Sequence, residues 1–233
     1  DCGISAKRIE KSLDELDTRA SELSGILITH EHSDHIKGLG VMLRRYGLPV
    51  FATAKTIDAV LDSRYIGKVD KDLFHPIEAD HPFQLDDITV EASHVWHDAA
   101  DPVCYSFYSE GFKASIATDL GDYDEYLVEK IRDSHILFVE ANHDVNMLQV
   151  GSYPYYLKRR ILGDHGHLSN ERCAQLIEDT VTEKTQKVYL GHLSKENNFA
   201  ELAYETVKVA LTEPDFLMEV AKRDCISSIT KVS

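Results

Sequence analysis

The sequence predicts an α/β or α+β fold in a single domain. Short β-branched runs recur along the chain and alternate with stretches of helical periodicity. No repeat, low-complexity tract or Pro/Gly-rich linker separates them. The 233 residues, 43% hydrophobic and 28% charged, are ordinary for one globular domain with a substantial core.

The elements follow in order. Residues 4–16 read as an amphipathic helix with Ile9, Leu13 and Leu16 on one face. Residues 26–28 form a buried strand, and 36–46 a helix stopped by Gly47 and Pro49. A short strand at 50–52 leads into a helix at 53–63 capped by Thr53. Strands at 83–85, 89–95, 103–108 and 113–117 are separated by turn signals such as Asp86-Asp87 and Glu110-Gly111. A helix at 124–132 precedes a strand at 136–139. Helices at 154–162 and 169–180, the latter capped by Ser169, precede a strand at 188–190 and a last helix at 199–211.

Composition limits the function classes. No apolar run approaches the ~20 residues that span a bilayer, so no membrane partner is expected. Cys2, Cys104, Cys173 and Cys225 form no C-x-x-C pair and read as free thiols of a cytoplasmic protein. The net charge of −15 is unfavourable for broad phosphate binding, and Lys158-Arg159-Arg160 is a local basic exception.

The most specific stretch is Thr29-His30-Glu31-His32-Ser33-Asp34-His35, directly after an apolar strand. At a strand end His30 and His32, two apart, can turn toward one point. Asp34 and His35, at the entry of the following helix, can face a second point beside it. The stretch thus offers N and O ligands for two adjacent divalent ions. A polar loop that merely happens to be rich in histidine does not account for this spacing after a buried strand.

This motif resembles the signature of the metallo-β-lactamase superfamily. The resemblance implies a four-layer αβ/βα sandwich with the ligands in strand-end loops along one edge. It implies that His97, in Trp96-His97-Asp98, completes the first metal site with His30 and His32. The second site is implied to hold Asp34, His35 and His192, the last from Gly191-His192-Leu193-Ser194, with Asp119 of Thr118-Asp119-Leu120 bridging both ions. Asp1 matches an early Asp that orients the metal loop without binding the ion.

Further segments are similar to the YycJ/WalJ (VicX) group of bacterial proteins: 97–103, Asn142-His143-Asp144, 157–162, 166–171 and 192–198. Membership implies a nuclease, with DNA exonuclease activity as the leading assignment. Members of that group carry two further strands before the Asp that matches Asp1, so those strands are expected to be missing here and one sheet to have an unpaired edge.

Two divalent ions about 3.5–4 Å apart lower the pKa of bound water and withdraw charge from a phosphoryl oxygen. Histidine-rich ligation favours zinc, while a mixed N/O set also accepts manganese or iron. Phosphodiester cleavage further needs charge stabilisation and a proton for the departing oxygen. Glu140, His143, Lys158, Arg159 and His167 offer such groups, and Glu140 with His167 resembles a Glu–His pair of tRNA-processing members of the superfamily. Ser194 and Asn197 could donate hydrogen bonds to a phosphate, and Lys195 could add charge. Asp34 and Asp119 carry catalysis as ligands. A small-molecule phosphodiesterase or other hydrolase on the same scaffold is the alternative, and a non-catalytic regulatory module would require an altered ligand set. DNA against RNA, exo against endo action, and oligomeric state stay open.

Overall fold

The computed structural model describes residues 1–212 and 214–232. The chain divides into two compact units, Asp1–His94 with Ala99–Val103, and Val95–Asp98 with Cys104–Ser233.

The first unit contains α1 (Ala6–Asp14), β1 (Ile26–Leu27), α2 (Ser33–Ile36), α3 (Leu39–Tyr46), β2 (Val50–Thr53), α4 (Ala54–Asp62), β3 (Phe74–Ile77), β4 (Phe83–Leu85) and β5 (Ile88–His94). Strands β1, β2 and β3 form a parallel sheet in that order, and β4 pairs with β5 as an antiparallel hairpin. The core joins Ile26, Ile28, Ile36, Leu39, Met42, Leu43, Val50 and Val60, with Ile9 and Leu13 of α1 packed on it. Leu16 lies past the end of α1 and is exposed, so the expected third member of that face does not pack.

The helix expected over 36–46 is two pieces. α2 ends at Ile36 and α3 begins at Leu39, with Gly38 donating its N–H to Cys2 O at 2.7 Å. Cys2 N in turn donates to His35 O at 2.7 Å. A Cβ on Gly3 would sit 1.4 Å from Asp34 O, so glycine is what lets residues 1–3 lie directly against the metal-motif loop. α3 ends where Gly47 turns left-handed at φ 61°, as its sequence predicts. Thr53 caps α4 by accepting from Thr56 N.

The second unit contains β6 (Val103–Ser109), β7 (Phe112–Ala117), α5 (Glu125–Ile131), β8 (Ile136–Glu140), α6 (Val145–Val150), α7 (Tyr155–Ile161), α8 (Asn170–Thr180), β9 (Lys187–Gly191), α9 (Ala200–Leu211) and β10 (Leu217–Val220). β6 belongs to it from Cys104 onward. Its strands run in the order β10-β9-β8-β7-β6. β7, β8, β9 and β10 are parallel, and β6 pairs antiparallel with β7. Leu127, Val128 and Ile131 of α5, Leu176 and Ile177 of α8, and Ala203 and Val207 of α9 pack with Leu137, Val139, Val188 and Leu190.

The parallel register decides where the candidate site residues emerge. Ala117 pairs with Val139, and Val139 with Leu190. Asp119, Glu140 and His192 therefore leave the sheet side by side at the carboxyl ends of three neighbouring strands, where sites in open parallel sheets form. No helix of the described residues is long and apolar enough to cross a membrane.

Candidate metal centre

In the first unit, β1 delivers Thr29 and His30 and the first turn of α2 delivers Asp34 and His35. Asp1 organises them. Its Oδ1 accepts from Thr29 N at 2.8 Å, and its Oδ2 accepts from Thr29 Oγ1 at 2.9 Å. His35 Nδ1 lies 2.8 Å from the same Oδ2, and His30 Nδ1 lies 3.0 Å from Thr29 Oγ1. With both Nδ1 atoms engaged, Nε2 is the atom through which each ring would bind an ion. The His30 ring centroid stands 4.6 Å from that of His32 and 4.1 Å from that of His35. Asp34 Oδ2 lies 3.9 Å from His35 Nε2 on the exposed side. Asp1 thus takes the orienting part expected of it, and Thr29, which the sequence did not single out, links Asp1 to both rings.

In the second unit, Asp119 is the hub. His97 Nε2 and His192 Nε2 lie 3.7 and 3.5 Å from Asp119 Oδ1. Those separations are too long for hydrogen bonds, and ligands of a tetrahedral ion with bonds near 2.0–2.2 Å sit about 3.3 Å apart. His97 Nδ1 is engaged by Gly166 O at 3.0 Å, which fixes that ring with Nε2 toward Asp119. The nitrogen and carboxylate donors, their spacing and their tautomers fit a divalent cation.

Asp119 and His192 both adopt left-handed backbone, at φ 59° and 56°. Such φ is uncommon outside glycine and costs roughly 1–3 kcal/mol, so it persists where surrounding structure imposes it, often at functional positions. Asn142 Nδ2 donates to His192 O at 2.9 Å and helps hold that conformation.

Glu140 is fully buried and serves two rings. His167 Nδ1 and His192 Nδ1 lie 2.7 and 2.8 Å from its Oε1. Its Oε2 accepts from Leu120 N at 2.8 Å and Leu168 N at 3.3 Å. Burial pushes the Glu140 carboxyl up, but the two imidazoles outweigh it and hold the group well below the usual carboxylate range. Burial likewise pulls His167 down, and the charge and hydrogen bond of Glu140 outweigh it, so the ring holds its proton above the ordinary histidine range. Glu140 thus bonds the His167 ring, the pair expected from the sequence, and the His192 ring as well. His167, half-buried, also has Nδ1 3.8 Å from Asp119 Oδ1.

His143 differs from the others. Its backbone docks beside Ser169 at the start of α8, and Asn170 N donates to its carbonyl at 2.9 Å. The ring is 1% exposed and neither nitrogen has a hydrogen-bond partner among the described residues. Burial pushes its pKa down to about 4, against the pull of Glu140. A histidine that must stay neutral to fold binds fewer protons than its unfolded counterpart between the two pKa values. Stability of the metal-free protein should therefore fall as pH drops from 6.5 through about 4, by about 3 kcal/mol in total from this residue. His143→Leu should be as stable as the native chain or more so at pH 7, because no hydrogen bond is lost, and should remove that acid-side loss. Urea denaturation across this pH range measures it.

The expected phosphate contacts separate into three situations. Lys158 Nζ donates to Gln149 O at 2.8 Å and Gly151 O at 2.7 Å, clamping the end of α6 to α7. Asn197 is 1% exposed; its N–H donates to Ser194 Oγ at 3.2 Å and its carbonyl accepts from Asp144 N at 2.9 Å. Ser194 N donates to Asn142 O at 2.7 Å. Arg159 and Lys195 are exposed.

Comparison with known proteins bears on this geometry. Residues 1–193 match the family model described as a β-lactamase superfamily domain. Exodeoxyribonuclease WalJ of Streptococcus pneumoniae serotype 2 (strain D39 / NCTC 7466) is 43% identical over 215 residues, 92% of this chain and 80% of that protein. This chain belongs to the metallo-β-lactamase superfamily, in its WalJ/YycJ group. Exodeoxyribonuclease YycJ of Bacillus anthracis, also of the WalJ/YycJ group, is 41% identical over 216 residues, 93% of this chain and 81% of that protein. Among solved structures, the metallo-β-lactamase fold protein YhfI from Bacillus subtilis is similar at a TM-score of 0.64. It is 15% identical and the match covers 89% of this chain and 78% of that one, a likeness of fold. The α/β class read from the sequence is thus that of the metallo-β-lactamase fold.

Proposed function

We propose that this protein is a metal-dependent phosphodiester hydrolase acting on DNA ends, an exonuclease of the WalJ/YycJ type. The observation that carries the reading is identity above 40% with proteins named exodeoxyribonucleases, over more than nine-tenths of the chain. The donor set accompanies it. His30, His32 and His97 would hold one divalent ion; Asp34, His35 and His192 would hold the other; Asp119 would bridge. Zinc or manganese suits the mixed N/O ligands, with iron also compatible. When bound, the ions supply a lowered pKa for water and Lewis-acid withdrawal of charge from the phosphoryl group.

The remaining work falls to this chain's side chains. Asp1 through His35, and Glu140 through His192, keep the ligand rings oriented before substrate arrives. Glu140 also holds His167 Nδ1–H, so a protonated His167 presents its Nε2–H to the departing 3′ oxygen. Arg159 and Lys195 are the exposed cations suited to meet the phosphate backbone outside the centre.

End-labelled single- and double-stranded DNA and RNA, incubated with the protein and manganese or zinc, test the reading. Release of labelled mononucleotides from DNA, abolished by chelator, is expected. Hydrolysis of bis(p-nitrophenyl) phosphate should accompany it and vanish on chelation. Hydrolysis of β-lactams or thioesters with no phosphodiesterase activity would overturn the assignment.

A further inference from the structure

Trp96 is the chain's one tryptophan and sits next to His97. Trp96 is 43% exposed, whereas His97 is buried at 4%. The indole lies nearly parallel to the His165 ring, at an interplanar angle of 17° and a centroid distance of 6.3 Å. Its backbone is held from two sides. Gly121 N donates to Trp96 O at 2.7 Å, and Trp96 forms an antiparallel bridge with Asp122. Asp98 N donates to His165 O at 3.1 Å, which ties the two stacked residues to one another through the main chain. Arg160 Nη2 donates to Asp98 Oδ1 at 3.0 Å, so α7 ends against this segment. Tyr156 precedes Arg160 by four residues, hence lies on the same face of α7, and is 75% exposed.

We propose that Trp96, backed by His165, is a stacking platform for an unpaired base of single-stranded DNA beside the His97–Asp119–His192 cluster, with Tyr156 receiving a neighbouring base. This deepens the nuclease reading above and rests on it. The net charge of −15 works against binding driven by phosphate contacts alone. Base–aromatic stacking supplies affinity that needs no net positive charge and tolerates any sequence, at roughly 1–3 kcal/mol per base. Bases inside a duplex already stack on their neighbours and do not offer a face to the indole. The platform therefore favours a frayed or single-stranded end, and its attachment to His97 keeps the phosphate next to the stacked base near the cluster.

The test is a cycle of protein and DNA variants, read by binding to the full chain in the presence of chelator, so that no turnover is required. The probes are a dT oligonucleotide and the same strand with one terminal nucleotide abasic. Native Trp96 fluorescence should be quenched by the dT strand, and the abasic strand should bind about 5–100-fold more weakly. Trp96→Ala should bind the two strands equally. Trp96→Phe, which keeps an aromatic face and guards against misfolding of the Ala variant, should preserve the difference. Equal weakening of both strands by Trp96→Ala, or no weakening, would overturn the platform while nuclease activity stood. A native chain that neither binds nor cleaves any DNA would overturn the platform and the nuclease reading together.

Discussion

Asp119→Asn should remove DNA hydrolysis by at least about three orders of magnitude and lower the bound-metal content. Asp119 is 2% exposed, and its Oδ1 lies within 4 Å of ring nitrogens from His97, His167 and His192. Glu140, the buried carboxylate beside it, cannot take its place, because it is committed to two rings and two backbone N–H groups. Loss of several kcal/mol of transition-state stabilisation corresponds to that fall in rate. Asparagine is the informative substitution, since it tolerates the left-handed φ of 59° that alanine would strain. A soluble, metal-depleted and inactive variant is expected, from elemental analysis and nuclease assay on the same preparation. Full metal content with near-native activity would show that Asp119 bridges nothing.

His167→Ala should lower kcat on DNA by about 10²–10⁴-fold, the usual scale for removing a general acid. A departing 3′ oxygen is a poor leaving group as an alkoxide and needs a proton. Glu140 keeps His167 protonated to higher pH than an isolated histidine, because ring and carboxylate lie 2.7 Å apart in a buried setting. The loss should be much smaller on bis(p-nitrophenyl) phosphate, whose leaving group needs no proton. Metal content should be unchanged in His167→Ala. Glu140→Gln, which also releases His192, should lower both activity and metal affinity, the latter by about 10–100-fold. Equal losses on the two substrates would make His167 a phosphate-binding group, and metal depletion in His167→Ala would make it a ligand.

The metal motif was legible because its chemistry is local. His30, His32, Asp34 and His35 fall within one strand end and one helical turn, so spacing alone places them. His97, Asp119 and His192 are candidates only through the family resemblance; each alone is a lone polar residue after a strand, and parallel register, which no local pattern encodes, sets Asp119 and His192 side by side. Elements without strong periodicity were missed. β3 carries Pro76, which argues against a strand. α6 spans only Val145–Val150, and β10 pairs with β9 after a long helical return. Residues 36–46 carry one continuous helical pattern in the sequence, and the break coincides with the tertiary contact of Gly38 with Cys2. The parts played by Thr29 and Asn142 are not legible for the same reason: they lie in hydrogen bonds to distant partners, Asp1 and His192. For Lys158 the sequence shows the charge and not the two backbone carbonyls, of Gln149 and Gly151, to which its ammonium donates.

A count of metal ions with their positions tests the dinuclear centre most directly. Protein purified without chelator should be crystallised and its anomalous scattering mapped at the zinc and manganese edges. Two peaks per chain are expected about 3.5–4 Å apart, one on His30, His32 and His97, the other on Asp34, His35 and His192, with Asp119 touching both. A single peak, or peaks that leave His97 or His192 without a metal, would contradict it.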